Sequence, residues 1–186
     1  MIRFRNPSSS LETMLASFEQ LYTELRDKEY FDNDDIAIVL AKANLMASSG
    51  FTGNEALALG ANKNRSRDKT YNNAKMFAEI FRLLGLISVV NNVSSNYRFT
   101  YIGDHMVVPG VDKKALVEQC ILGMNNPNRI MDVSYDESVR FFSCVLLTMD
   151  QLDGCICRDE MILGPMCVER RILSGAGDTV FEDIAV

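Results

Sequence analysis

The chain has 186 residues, 47% of them hydrophobic and 24% charged, with a net charge of −6 at pH 7. That length holds one or two domains with a real core. No apolar run approaches the ~18 residues of a membrane span, and Met1 to Pro7 lacks the apolar stretch of a signal peptide, so a cytoplasmic protein with no membrane partner is expected.

The acidic sum weakly opposes nucleic-acid binding, but it is unevenly spread. Residues 1–111 carry 12 basic and 12 acidic side chains, and residues 112–186 carry 7 and 13. A nucleic-acid surface would therefore be local and lie in the first half. The five cysteines are an odd number. Cys120, Cys144, Cys155 and Cys167 sit in apolar segments, which reads as buried, reduced thiols.

In chain order, Arg3 and Arg5 offer a groove-reaching arm, although a frayed terminus explains them more simply. Ser9 or Ser10 caps a first helix, with Ser9 and Glu12 in capping-box spacing. Leu11, Met14, Leu15, Phe18, Leu21, Tyr22 and Leu25 then recur with helical period. Asp32, Asp34 and Asp35 suit the start of a second helix, which carries Ile36, Val39, Leu40 and Leu45 and stops at Ser48-Ser49-Gly50. A short helical piece, Asn54 to Leu59, ends at Gly60.

The most informative stretch follows, Lys63-Asn64-Arg65-Ser66-Arg67-Asp68-Lys69-Thr70-Tyr71-Asn72-Asn73-Ala74-Lys75. It holds five basic residues and one acid in thirteen positions of an acidic protein. The amphipathic run Met76 to Leu84 continues as a helix that stops at Gly85. Two strands, Leu86 to Val90 and Tyr97 to Ile102, flank a polar tip, Asn91 to Asn96. Basic loop, helix, strand, tip and strand is the order of a winged helix-turn-helix.

On this reading Arg65, Arg67, Lys69 and Lys75 meet phosphates, the arginines alternatively guanine edges, and Asn72 and Asn73 reach adenine edges. A solvated charged loop is the alternative. Wing residues Asn92, Ser94, Ser95, Asn96 and Arg98 would add backbone contacts, though an ordinary polar hairpin accounts for them equally well.

Val107-Val108-Pro109-Gly110 marks a boundary. A helix from Asp112 to Leu122 and a loop, Gly123 to Ser134, follow. A largely apolar helix from about Asp136 to Leu152, central to a second core, is broken at Gly154. Shorter turns lead to Asp178. The second half opens like another helix-turn-helix unit without its wing, so a truncated or excised domain is expected. The predicted fold is mainly α with a small β wing, in two tandem winged helix-turn-helix-like subdomains: residues 1–110, a linker over 111–135, and an incomplete unit over 136–186.

Helix, helix, basic loop, a helix ending in Arg82-Leu-Leu-Gly-Leu-Ile, then a hairpin ending in Arg98-Phe-Thr-Tyr-Ile-Gly-Asp-His resembles the N-terminal recognition regions of type IIS restriction and nicking endonucleases. Ser138-Val-Arg-Phe-Phe through Leu152-Asp-Gly and Arg158-Asp-Glu-Met resembles the opening of that group's second subdomain. The resemblance covers nearly the whole chain and implies sequence-specific binding of double-stranded DNA. Cleavage would be performed by a separate nuclease domain or subunit, and Mg²⁺ would be needed only there. A winged-helix transcriptional regulator, as a symmetric dimer on a palindrome, and a protein–protein assembly module are the alternatives.

Other constellations have plainer readings. Asp104 with Asp112-Lys113-Lys114 loosely imitates a nuclease carboxylate–lysine set, but Asp112 follows Pro109-Gly110 and suits a helix cap. Asp32-Asn-Asp34-Asp35 lacks the Gly and distal Glu of a calcium loop. Cys155, Cys157 and Cys167 have the wrong spacing for zinc. His105, the single histidine, is given a structural place at a strand end.

Overall fold

The computed structural model describes residues 10–60, 64, 67–90, 95–124 and 141–157. Their elements are mainly helical, seven helices with one small antiparallel sheet. They divide into two compact units, one ending at Val117 and the other beginning at Glu118. The division falls inside a helix.

In the first unit, helix α1 spans Leu11–Leu25. Ser10 is its cap, accepting from Thr13 N, and Glu12 accepts from the Ser10 hydroxyl. The Ser9–Glu12 capping box is thus replaced by a cap one residue later. Helix α2 spans Asn33–Lys42 and is closed by a reciprocal Asp32–Asp35 capping box. It stops earlier than expected because Asn44 adopts φ 56°. Leu45 N then bonds Leu40 O and Asn44 N bonds Ala41 O, the paired bonds of a Schellman cap with Asn in the left-handed position.

Between this cap and helix α3 (Gly53–Gly60) lies a feature absent from the sequence reading. Ser48 and Phe51 exchange backbone hydrogen bonds of 2.8 and 3.0 Å. Ser49 and Gly50 between them have φ of 55° and 85°. Two successive positive φ values are the mark of the tight I′ turn.

Helix α4 spans Lys69–Leu83. Gly85, at φ 72°, ends it as expected; Leu86 N reaches Phe81 O and Gly85 N reaches Arg82 O, a second Schellman cap. Strands β1 (Ile87–Val89) and β2 (Tyr97–Phe99) pair antiparallel, Ser88 opposite Arg98. Phe31 bridges to Tyr97 on the other side of β2.

The second strand is shorter than its β-rich sequence implies. Thr100 caps a helix, α5 (Tyr101–Met106), by accepting from Gly103 N. Its hydroxyl also meets the Gly85 and Leu86 carbonyls, so one side chain joins the end of α4 to the start of α5. His105 consequently lies on an exposed helix face, stacked on Tyr101, and not at a strand end. Helix α6 spans Lys113–Leu122, capped as expected by Asp112, which accepts from Ala115 N.

The core gathers where α1, α4 and the hairpin meet. Phe18 packs edge-on against Phe81 at 5.2 Å and Phe99 at 5.8 Å, and Phe31 lies 4.8 Å from Phe99. Each such pair contributes about 0.5–1.5 kcal/mol beyond area burial. Leu21, Ile36, Leu40 and Leu86 fill the remaining volume.

In the second unit, α7 spans Phe141–Gln151, ending where Asp153 takes φ 56° and Gly154 φ 81°. Its expected central burial is not what the described side chains show. Leu146 and Leu147 are 53% and 48% exposed, and Thr148 is the buried residue. Cys155, expected to be buried, is exposed just beyond the break. Cys120 and Cys144 are half-buried, and burial pushes both thiols up. Cys167 and residues 125–140 lie outside the described residues.

Candidate nucleic-acid interface

The basic stretch is anchored at its acid. Asp68, 8% exposed, is the N-cap of α4 and accepts from Thr70 N at 2.9 Å and Tyr71 N at 3.3 Å. A helix start leaves its first amides unpaired, so an Asp there is worth about 1 kcal/mol. Thr70 locks the same turn to α3 by donating to Ala56 O.

Gly60, the last residue of α3, lies against the Asp68 carboxylate. A Cβ there would sit 2.5 Å from Oδ2. Close approach, and not an unusual φ, favours glycine at this point. The loop between α3 and α4 is therefore pinched at its two ends.

Of the residues assigned to DNA, Lys63, Arg65 and Ser66 lie outside the described residues, as do Arg3, Arg5, Asn92 and Ser94. Asn64 is exposed, and its carbonyl accepts from Arg67 N at 2.8 Å and Asp68 N at 3.1 Å. This turn presents Arg67, also exposed, immediately before α4. Lys69 and Lys75 project from the first two turns of the helix. Lys75 Nζ sits 5.0 Å from the centre of the half-buried Tyr71 ring.

Thr70, Ala74, Phe77, Ala78 and Phe81 form the buried stripe of α4, which leaves Lys69, Asn72 and Met76 on the opposite side at helical spacing. Asn72 is half-buried. Asn73 is committed elsewhere in part: its side-chain amide donates to Ala47 O at 3.1 Å, tying α4 to the segment before the tight turn. In the hairpin, Asn96 O accepts from Val90 N at 2.8 Å. Arg98 is exposed beside Ser88, and Ser95 is half-buried.

Charge pairing sharpens the picture. Lys28, Lys113, Lys114 and Arg26 are bridged to Asp35, Glu19, Glu12 and Asp27. Among the described residues no carboxylate pairs with Arg67, Lys69, Lys75 or Arg98. The positive end of the α4 dipole adds to these cations. Together they can hold phosphate oxygens, while the amides on the same helix can meet base edges.

The nuclease-like constellation has other partners. Asp112 caps α6, and Lys113 and Lys114 face Glu19 and Glu12 of α1. Beneath the hairpin, Tyr97 donates to the buried Asn33 side chain. Burial pushes its phenol up, with the Arg82 guanidinium, 6.0 Å from the ring centre, partly offsetting that.

Sequence reasoning passed over three contributors. Asp68 looked like the odd acid in a basic run, although Asp just before a helix is the ordinary capping signal. Gly60 looked like a simple stop. The tie from Asn73 to Ala47 had no local signal.

Among the described residues no group of three or more His, Cys, Asp or Glu side chains is placed to hold a metal ion, and no helix is long and apolar enough to cross a membrane. Comparison of the chain with family models, curated proteins and solved structures gave no match.

Proposed function

We propose that this chain recognises double-stranded DNA by sequence, docking the start of α4 and its preceding loop in a groove. The observation that carries the reading is the set of exposed cations Arg67, Lys69 and Lys75, with no carboxylate partner among the described residues, around a helix start fixed by Asp68. A groove reader needs positive charge to neutralise phosphates and rigid placement of the side chains that meet bases.

Support also comes from chain order. Four helices precede the hairpin, α4 immediately so, and Phe31 and β1 flank β2 on either side. That is the arrangement expected of a winged helix-turn-helix, with α4 as its recognition helix. By its resemblance to type IIS recognition regions, the chain would deliver DNA to a nuclease domain or subunit outside it, where any Mg²⁺ would act.

Selection of bound fragments from a random duplex library at low salt, followed by sequencing, tests the reading. One enriched sequence is expected, with affinity that falls steeply as salt rises, about one decade per decade of salt for each phosphate neutralised. Arg67→Ala should weaken binding to the enriched sequence by ~1–3 kcal/mol if it reads a base. Absence of any enriched sequence at low salt overturns the proposal.

A further inference from the structure

The tight turn between α2 and α3 carries an aromatic side chain that the basic stretch does not explain. Phe51 is 46% exposed, although Met46 and Ser48 beside it are each 4% exposed. Its backbone is held rigidly. Phe51 N and O both bond Ser48, across a turn closed by the positive φ of Ser49 and Gly50. The turn is tied to α4, because Ala47, next to Ser48, accepts from the Asn73 side chain. Asn73 follows Asn72 and precedes Lys75 on the helix that carries the candidate interface. An exposed apolar ring is thus carried on a rigid turn that is tied to α4, in a segment with no charged residue between Ala43 and Asn54.

We infer that Phe51 is an apolar DNA contact, packing on a thymine methyl group in the groove that α4 enters. The inference rests on the DNA reading above. In the major groove the thymine methyl is the single apolar mark that distinguishes a base edge, and side chains such as Phe meet it by direct contact. A rigid turn matters because a mobile backbone would lose conformational freedom on docking and give back part of the gain. The division of labour is chemical: cations fix position on phosphates, α4 amides meet polar edges, and Phe51 senses the methyl.

The test uses the intact chain and the duplex obtained by selection, with each thymine replaced singly by deoxyuridine, which lacks only the methyl. Wild type should lose about fourfold in affinity at one thymine, the value of one buried carbon. Phe51→Ala should lose at least that on the unmodified duplex and show no further loss on the deoxyuridine duplex. Its salt dependence should match wild type, whereas Lys69→Ala should lower the salt slope by about one.

Phe51→Leu should retain most of the affinity, and unchanged thermal midpoints show that both variants are folded. Unchanged affinity in Phe51→Ala overturns the inference and leaves the DNA reading standing. So does a deoxyuridine penalty that persists in Phe51→Ala at every sensitive thymine, or the lack of any sensitive thymine. If wild type selects no sequence, the DNA reading falls and this inference with it.

Discussion

Helices α4 and α7 are a useful pair. By composition α7 is the more apolar, with Phe141, Phe142, Val145, Leu146 and Leu147 in its first seven residues. Yet α4 buries Thr70, Ala74, Phe77, Ala78 and Phe81, whereas Leu146 and Leu147 on α7 are exposed. Apolar residues make a core only where a matching surface meets them. Helix α4 has one in α1 and α2: its stripe recurs at 3.6-residue spacing, and Phe18 of α1 stands 5.2 Å from Phe81. In α7 the apolar residues run around the axis, so no single face can cover them.

The largest expected effect lies on the α4 side. Phe81→Ala should destabilise the first unit by about 3–5 kcal/mol, the cost of removing a buried ring and leaving a cavity. Leu146→Ala should change stability by about 0.5 kcal/mol or less, as exposed sites do. Urea unfolding followed by circular dichroism measures both, and equal effects would erase the contrast.

A smaller effect is expected at the pinch of the basic loop. Gly60→Ala drives a Cβ into the Asp68 carboxylate and should cost about 1 kcal/mol by weakening the cap. Faster hydrogen exchange at the Thr70 and Tyr71 amides reports it directly. Asp68→Asn, which still caps, should leave these amides protected. Thr70 and Tyr71 exchanging at the same rate in Gly60→Ala would show that the loop yields instead.

The smallest effect concerns reactivity and not stability. Alkylation with mass-spectrometric mapping should label Cys155 and Cys157 before Cys144 and Cys120. The first two are exposed, and burial disfavours the thiolate of the others. Labelling of Cys144 as fast as Cys155 would mean that the second unit opens readily at α7.

The sequence made the periodic elements plain. Leu11 to Leu25 read as α1 because seven apolar residues repeat at helical spacing, and Gly85 read as a stop because only glycine takes its φ without strain. Asn44 and Thr100 escaped notice because each is a polar residue whose role depends on neighbours. Asn44 ends α2 by adopting a left-handed conformation that asparagine only sometimes takes. Thr100 cuts off a segment, Tyr97 to Ile102, whose propensity favours a strand, because its hydroxyl is better used as a cap.

At the candidate interface, the cations were legible as a run in the sequence. The I′ turn behind Phe51 was not, because Ser-Gly at its centre is a weaker signal than Asn-Gly, and Ser48-Ser49-Gly50 reads as the stop of α2, which ends earlier, at Lys42.

The bridge from Phe31 to Tyr97, reinforced by the Tyr97 hydroxyl on Asn33 64 residues away in sequence, has a consequence for how the chain comes to be folded. Helices α1 to α4 are built from local bonds and can form as they emerge during synthesis. The sheet edge beside Phe31 has no partner until β2 follows, and Phe18 lacks Phe99 until the same moment. Closing so long a loop is an intrinsically slow step. A nascent chain that ends before Tyr97 therefore presents Phe31 without Tyr97 and Phe99, and Phe18 with Phe81 but without Phe99, which makes the hairpin the latch that completes the first unit.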